Sequence, residues 1–248
     1  MPDSGSDNPE AGPKGGSSPS VQRRFAADID TKWGDILLLV CFFVAGLVDS
    51  AAFNMYGCFV SMQTGNTIFV GLGVSHQPEN LPGKAWSRCF VAIVCFAFGA
   101  LFFSSFHRHF GPQKRWVLIT SFFVQSILTG LVALLATTGA VYNHPHGRST
   151  VHENGWIIER VQNSFPASDY AAISILAFQS AGQIVASRVL KYNAMPTVVL
   201  TSLYCDMMSD AKLFTAPLTD NADRNRRALG AVLLFVGAVC GGFLSKSW

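Results

Sequence analysis

A single carboxylate stands in a long apolar stretch of this chain. Between Ile36 and Val74 the sequence runs 39 residues with one formal charge, Asp49. An ionised Asp at mid-bilayer costs about 2.5–3.5 kcal/mol on insertion scales, so it is expected to face a bundle interior or a wet cavity with polar partners. Ser50 and Asn54 lie on adjacent turns of the same helix and extend Asp49 into a polar stripe. Gln179, Gln183 and Ser187 write a second stripe at four-residue spacing, with Ser180 beside it. Packed together, the two stripes satisfy each other's hydrogen bonds and enclose a polar seam. Such a seam serves either a solute or proton pathway, with Asp49 as its ionisable member, or a static interhelical hydrogen-bond network.

Two further groups bear on the same chemistry. Thr64, Gly65 and Asn66 set a flexible point between two hydrogen-bonding side chains. A helix beginning there turns its free N–H groups toward an anionic or polar ligand, or uses the segment as a simple N-cap. Asp206 and Asp210 lie one turn apart, with Lys212 following. Asp206 is either a second buried acid or an interfacial one, and Asp210 and Lys212 are expected at the interface. The candidate binding or translocation residues are therefore Asp49, Ser50, Asn54, Thr64, Gly65, Asn66, Gln179, Gln183 and Asp206.

The elements that must position these residues follow from how charge is distributed. Only 13% of the 248 residues are charged, against about 25% in soluble domains. The charges are also segregated: uncharged runs fill Cys89–Phe106, Trp116–Asn143, Tyr170–Ser187 and Ala228–Ser245. A soluble helix needs a charged outer face, and these runs have none. The expected fold is an all-α polytopic transmembrane bundle of about seven helices. A first crossing is expected from near Trp33–Asp35 to an interruption at Asn54–Cys58, with further crossings near 59–74, 86–106, 116–138, 169–189, 195–214 and 228–245. Gly57 is the expected break after the first, and Pro196 opens the sixth. Six crossings plus a re-entrant hairpin at 53–66 is the alternative.

Residues 1–33, rich in Ser, Gly, Pro and Asp, read as a disordered tail, and 34–248 as the membrane domain with a long loop at 139–168. Trp33, Trp86, Trp116, Trp156 and Trp248 all fall at or outside proposed helix ends, as an interfacial belt requires. With seven crossings, about 12 Lys and Arg collect on the side of the N-terminus and about 6 on the other, which places the N-terminus in the cytosol. A weak internal echo relates Gly46-Leu47-Val48-Asp49-Ser50-Ala51 to Leu176-Ala177-Phe178-Gln179-Ser180-Ala181, and Ser61–Gly65 to Val198–Ser202. Crossings 1–3 and 5–7 would then be parallel repeats joined by crossing 4.

Several function classes are excluded or disfavoured. The six Cys show no CxxC spacing and lie mostly within apolar runs, so neither a metal centre nor a disulfide framework is expected. His144, His146 and His152 lack companions at ligand spacing and read as loop residues. No phosphate-binding loop, dinucleotide fingerprint, zincin motif or GxSxG elbow occurs, which argues against an ATP-driven pump or a familiar hydrolase. No enzyme activity, cofactor, metal or nucleic-acid partner is expected. The expected partners are the lipid bilayer, a small solute, and a second copy packed through the small-residue spacing of Gly237 and Gly241.

The run Ala45–Phe53 with Asp49, followed by Phe59-Val60-Ser61-Met62-Gln63-Thr64-Gly65-Asn66-Thr67, resembles the signature of the YoaK-like family. This is a bacterial and fungal group of small membrane proteins described as a domain of unknown function. The resemblance extends to Gln179, Thr197 and Thr201 and covers about residues 35–245. Ser50 stands where Ala is usual after the Asp, and the N-terminal tail and 139–168 loop are additions typical of fungal members. The resemblance implies fold and topology and carries no activity. From the residues themselves, the expected function is a secondary transporter or permease for a small polar solute, with proton coupling through Asp49. The alternative is a non-transporting membrane scaffold or assembly factor.

Overall fold

In lipid every backbone N–H and C=O must find its partner within the protein, so apolar runs of about 20 residues close on themselves as helices. The computed structural model describes residues 34–76, 85–141, 149–153, 156–160, 167–191, 197, 199–215, 217 and 219–245. Five helices run to full length: α1 (Gly34–Tyr56), α3 (Ala85–Phe110), α4 (Arg115–Thr137), α5 (Ala167–Val189) and α7 (Ala222–Leu244). Each is long and apolar enough to cross a membrane. Two shorter helices complete the set, α2 (Gln63–Val74) and α6 (Leu200–Met208). The expected tail at 1–33 and the residues around Pro196 lie outside the described residues.

The helical bundle therefore stands, with a correction to two of its expected crossings. α2 has 12 residues and α6 has 9; at 1.5 Å per residue they reach only about 18 and 14 Å, short of a hydrocarbon core of about 30 Å. For α2 the cause is local. Gly57 adopts a left-handed φ of +66° and its N–H returns to the Phe53 carbonyl, a C-cap that ends α1. Residues 57–62 then stay non-helical. Among its described residues the expected long loop also holds an antiparallel hairpin of β1 (Ser149–Glu153) and β2 (Trp156–Arg160). Its register pairs Glu153 with Trp156 and Ser149 with Arg160.

Contacts along the helices give their relative directions. At one end Asp35 pairs with Arg226, and at the other Asn54 donates to Ser245, so α1 and α7 run side by side in the same direction. α3 and α5 are likewise parallel, joined by Ser87 and Tyr170 at their starts and by Gly99 against the Phe178 carbonyl further on. α5 opposes α1. Leu38 and Phe42 of early α1 cluster with Ala186 and Leu190 of late α5, while Ala52 and Tyr56 cluster with Ala172 and Ile173. The expected parallel relation between helices 1–3 and 5–7 is thus corrected, because α1 and α5 run in opposite directions.

Two pairings dominate the packing, α1 with α7 and α3 with α5. Both depend on glycines where one backbone rests on another. A Cβ on Gly46 would collide with the Leu234 carbonyl, one on Gly237 with Phe43, one on Gly241 with Leu47, and one on Gly99 with Phe178. Gly237 and Gly241 are consequently covered by α1 of the same chain, and the expected contact between copies through them is corrected. Gly130, by contrast, faces open space. Gly237→Ala is expected to lower stability by about 2–3 kcal/mol through forced separation of α1 and α7. Gly130→Ala should be neutral or slightly stabilising. Thermal unfolding of the detergent-solubilised protein reads both.

Candidate functional site

The chemistry gathers where α1 breaks. After Gly57 the chain folds back beside α1, bringing Val60 and Ser61 level with Asp49, which lies about 10 Å inside the end of its helix. Asp49 Oδ1 accepts the Val60 and Ser61 N–H groups, each at 2.8 Å. Ser61 Oγ donates to Asp49 Oδ2. The carboxylate is buried, at 6% exposure. Three donors converge on it, the set that suits an anion held by oriented dipoles.

Asn66 holds the same segment from the other side. Its Oδ1 accepts the Phe59 N–H at 3.0 Å, and its Nδ2 donates to the Phe59 carbonyl at 2.6 Å and to Gln63 Oε1 at 2.9 Å. Gln63 Nε2 and Ser180 Oγ then both donate to the Val60 carbonyl. Non-helical backbone at membrane depth is tolerated only when enclosed by protein or lining a cavity, and here side chains from α1, α2 and α5 supply its partners. α2 leads outward again, since a Cβ on Gly73 would strike Trp86 at the start of α3. Segment 57–62 with α2 thus enters and leaves on the face where α1 ends, the geometry of a re-entrant hairpin.

Beside this break lies an open groove of about 500 Å³ between α1 and α7. Asp49, Ser50, Asn54, Phe53, Phe59 and Met62 form one wall, and Leu234, Ala238, Val239, Gly242 and Phe243 the other. The expected residues therefore divide. Asp49, Ser50 and Asn54 meet at the groove. Asn66 is fully buried behind the break, and Gly65 sits under the Phe59 ring, where a Cβ would come within 3.0 Å. Thr64 points outward and is exposed.

The expected seam between the α1 and α5 stripes is corrected. Asp49 takes its partners from residues 60 and 61, Asn54 turns to Ser245 of α7, and Ser180 links α5 to the break. Gln179 and Gln183 are buried in α5, but among the described residues neither bonds to Asp49. Asp206 is exposed on α6, away from the groove, so it is not a second buried acid. The arginines near α7's start are engaged within the protein: Arg226 with Asp35, and Arg224 with the Leu213 and Pro217 carbonyls.

One charged group escaped the sequence reading. Arg88 and Asp169, at 3% and 0% exposure, begin α3 and α5 beneath the break. Asp169 lies in the field of Arg88 and of Tyr56. A Cβ on Gly57 would stand 3.6 Å from the Arg88 guanidinium, and the neighbouring Ser87 and Tyr170 hydroxyls are 2.6 Å apart. Both residues read as boundaries of apolar runs. The signal that reveals them is opposite charge at the first turns of two spans that start on one face.

These features define a multi-pass helical membrane protein with a clamped break in its first span. A family model described as "Protein of unknown function (DUF1275)" matches residues 37–247, and the chain belongs to that family, which includes the YoaK-like proteins. No curated protein and no solved structure matches the chain.

Two outcomes test this geometry. Asn66→Ala leaves the Phe59 backbone unsatisfied, so a loss of about 2–3 kcal/mol and faster amide exchange at Phe59 and Val60 are expected. Arg88→Gln or Asp169→Asn alone should cost about 3–5 kcal/mol. The exchanged pair, Arg88→Asp with Asp169→Arg, should recover part of that loss in the same unfolding measurement.

Proposed function

We propose that this protein is a secondary permease for a small polar solute, with the 57–62 break and the α1/α7 groove as its site. The observation that carries the reading is a stretch of non-helical backbone, buried at membrane depth, beside a groove with a partly polar wall. Transporters bind substrate and coupling ions at interrupted helices of this kind. Asp49 is the coupling group. A proton added at Oδ2 displaces the Ser61 hydroxyl bond, weakens the hold on residues 60 and 61, and so links protonation to the shape of the groove wall.

The order of elements favours the same reading. A long, a short and a long helix (α1–α3) are followed by a linker helix, α4, and by another long, short, long set (α5–α7). With α1 and α5 opposed, we read the two sets as an inverted repeat, an arrangement frequent among secondary transporters. On this topology nine of the eleven Lys and Arg among the described residues fall on the face where α1 begins, which favours a cytosolic N-terminus. One observation favours a scaffold instead: Asp49 serves the backbone around it, as a purely structural clamp also would.

Asp49→Asn separates the two in protein reconstituted with an internal pH-sensitive dye. For a permease, the wild type carries solute-dependent proton flux under an imposed pH gradient. The variant folds, keeps its unfolding midpoint within a few degrees, and loses at least about tenfold of that flux, an effect worth about 1.4 kcal/mol or more. A scaffold shows no flux in either form and only a fall in stability.

A further inference from the structure

The Asp49 carboxylate is not filled by its protein partners. An ionised carboxylate offers about four lone-pair positions. The Val60 N–H, the Ser61 N–H and the Ser61 hydroxyl occupy three of them. Among the described residues no Lys, Arg or His forms an ion pair with Asp49, so dipoles surround the charge without a countercharge. A buried carboxylate in that condition retains an affinity for a cation.

The groove is shaped and charged to deliver one. Among the described residues Asp49 is the only ionisable side chain lining it. Ser50 and Asn54 flank the carboxylate, the Phe53 and Phe59 rings stack with centroids 4.7 Å apart, and the facing α7 wall is apolar. We propose that this groove binds a small organic cation. Its ammonium head takes the open Asp49 lone pair, with the Phe53 and Phe59 rings adding cation–π attraction, and its apolar body lies along Leu234, Ala238 and Val239. A groove of about 500 Å³ suits a molecule the size of an arylalkylamine. An anion is repelled by Asp49 and, among the described residues, meets no cationic side chain in the wall. The inference rests on the site of the proposed permease and names its substrate class, yet it concerns binding and is measured without transport.

The test is ligand-dependent unfolding of the full chain in detergent, followed with a thiol-reactive dye that reports exposure of the buried Cys41, Cys58 and Cys89. The probes are 2-phenylethylammonium, the neutral 2-phenylethanol and the anionic 3-phenylpropanoate at matched ionic strength. The cation is expected to raise the midpoint saturably, by about 3–6 °C at ten times its Kd, with the other two giving less than a third of that shift. Val239→Phe narrows the groove from a partly exposed position and should abolish the shift. Asp49→Asn, where it folds, should reduce the cation to the level of the alcohol.

Equal shifts for all three probes, a larger shift with the anion, or a cation shift that survives in Val239→Phe would overturn the proposal. So would a shift that sodium chloride alone reproduces, which would make the site one for an inorganic cation. Cation binding without flux in vesicles retains this site and removes the permease reading. Flux of a neutral or anionic solute without any cation shift does the reverse.

Discussion

Everything unusual in this fold depends on one interaction, the Asp49 carboxylate receiving two backbone N–H groups from a chain that has left its helix. Within a bilayer an unpaired peptide group costs several kcal/mol, so residues 57–62 persist at that depth only because they are bonded. Asp49 takes the donors, Ser180 and Gln63 supply the Val60 carbonyl, and Asn66 serves both ends of Phe59. The acid is retained because it replaces, for a few residues, the hydrogen bonds that a helix would have made for itself. The same fact fixes the lining of the groove, since the backbone held at Asp49 carries Phe59 and Met62 into its wall.

Much of this was legible in the sequence, and the reasons are physical. Charge segregation alone gave the class and the five long spans, because a helix in lipid has no need of a polar outer face. Asp49, Ser50, Asn54 and Asn66 stood out because lipid makes each of them expensive. What could not be read was whom they address. Periodicity reports which residues share a face, and the α1 stripe does share one, yet Asp49 turns to the break and Asn54 to the end of α7. Tertiary choice of that kind depends on where the chain reverses, and Gly57 signalled the break without giving its depth.

The remaining misses share a cause. In the sequence Arg88 and Asp169 mark the edges of apolar runs, where a charge at a helix start is ordinarily an interfacial residue. Only the convergence of α1's end with the starts of α3 and α5 buries them. Gly237 and Gly241 have the spacing that permits close helix approach, and they are used for it, but toward α1 of the same chain. Spacing encodes the possibility of contact and leaves the partner open. The β1–β2 hairpin was foreshadowed by Asn154-Gly155 between Thr150, Val151, Ile157 and Ile158, a local pattern masked by the surrounding loop composition.

The glycine-sealed pairs carry a mechanical consequence. α1 with α7 and α3 with α5 form two bodies whose backbones touch, whereas α1 and α5 meet through side chains, Leu38 and Phe42 with Ala186, and Ala52 and Tyr56 with Ala172. Segment 57–62 spans the boundary between the bodies: Asp49 ties the segment to one body, and Ser180 ties it to the other. Such a strap converts tilting of one body against the other into tension on a single carbonyl, that of Val60. Tilting of either pair is thus felt at residues 57–62, where backbone is bonded by side chains of neighbouring helices rather than by its own helix.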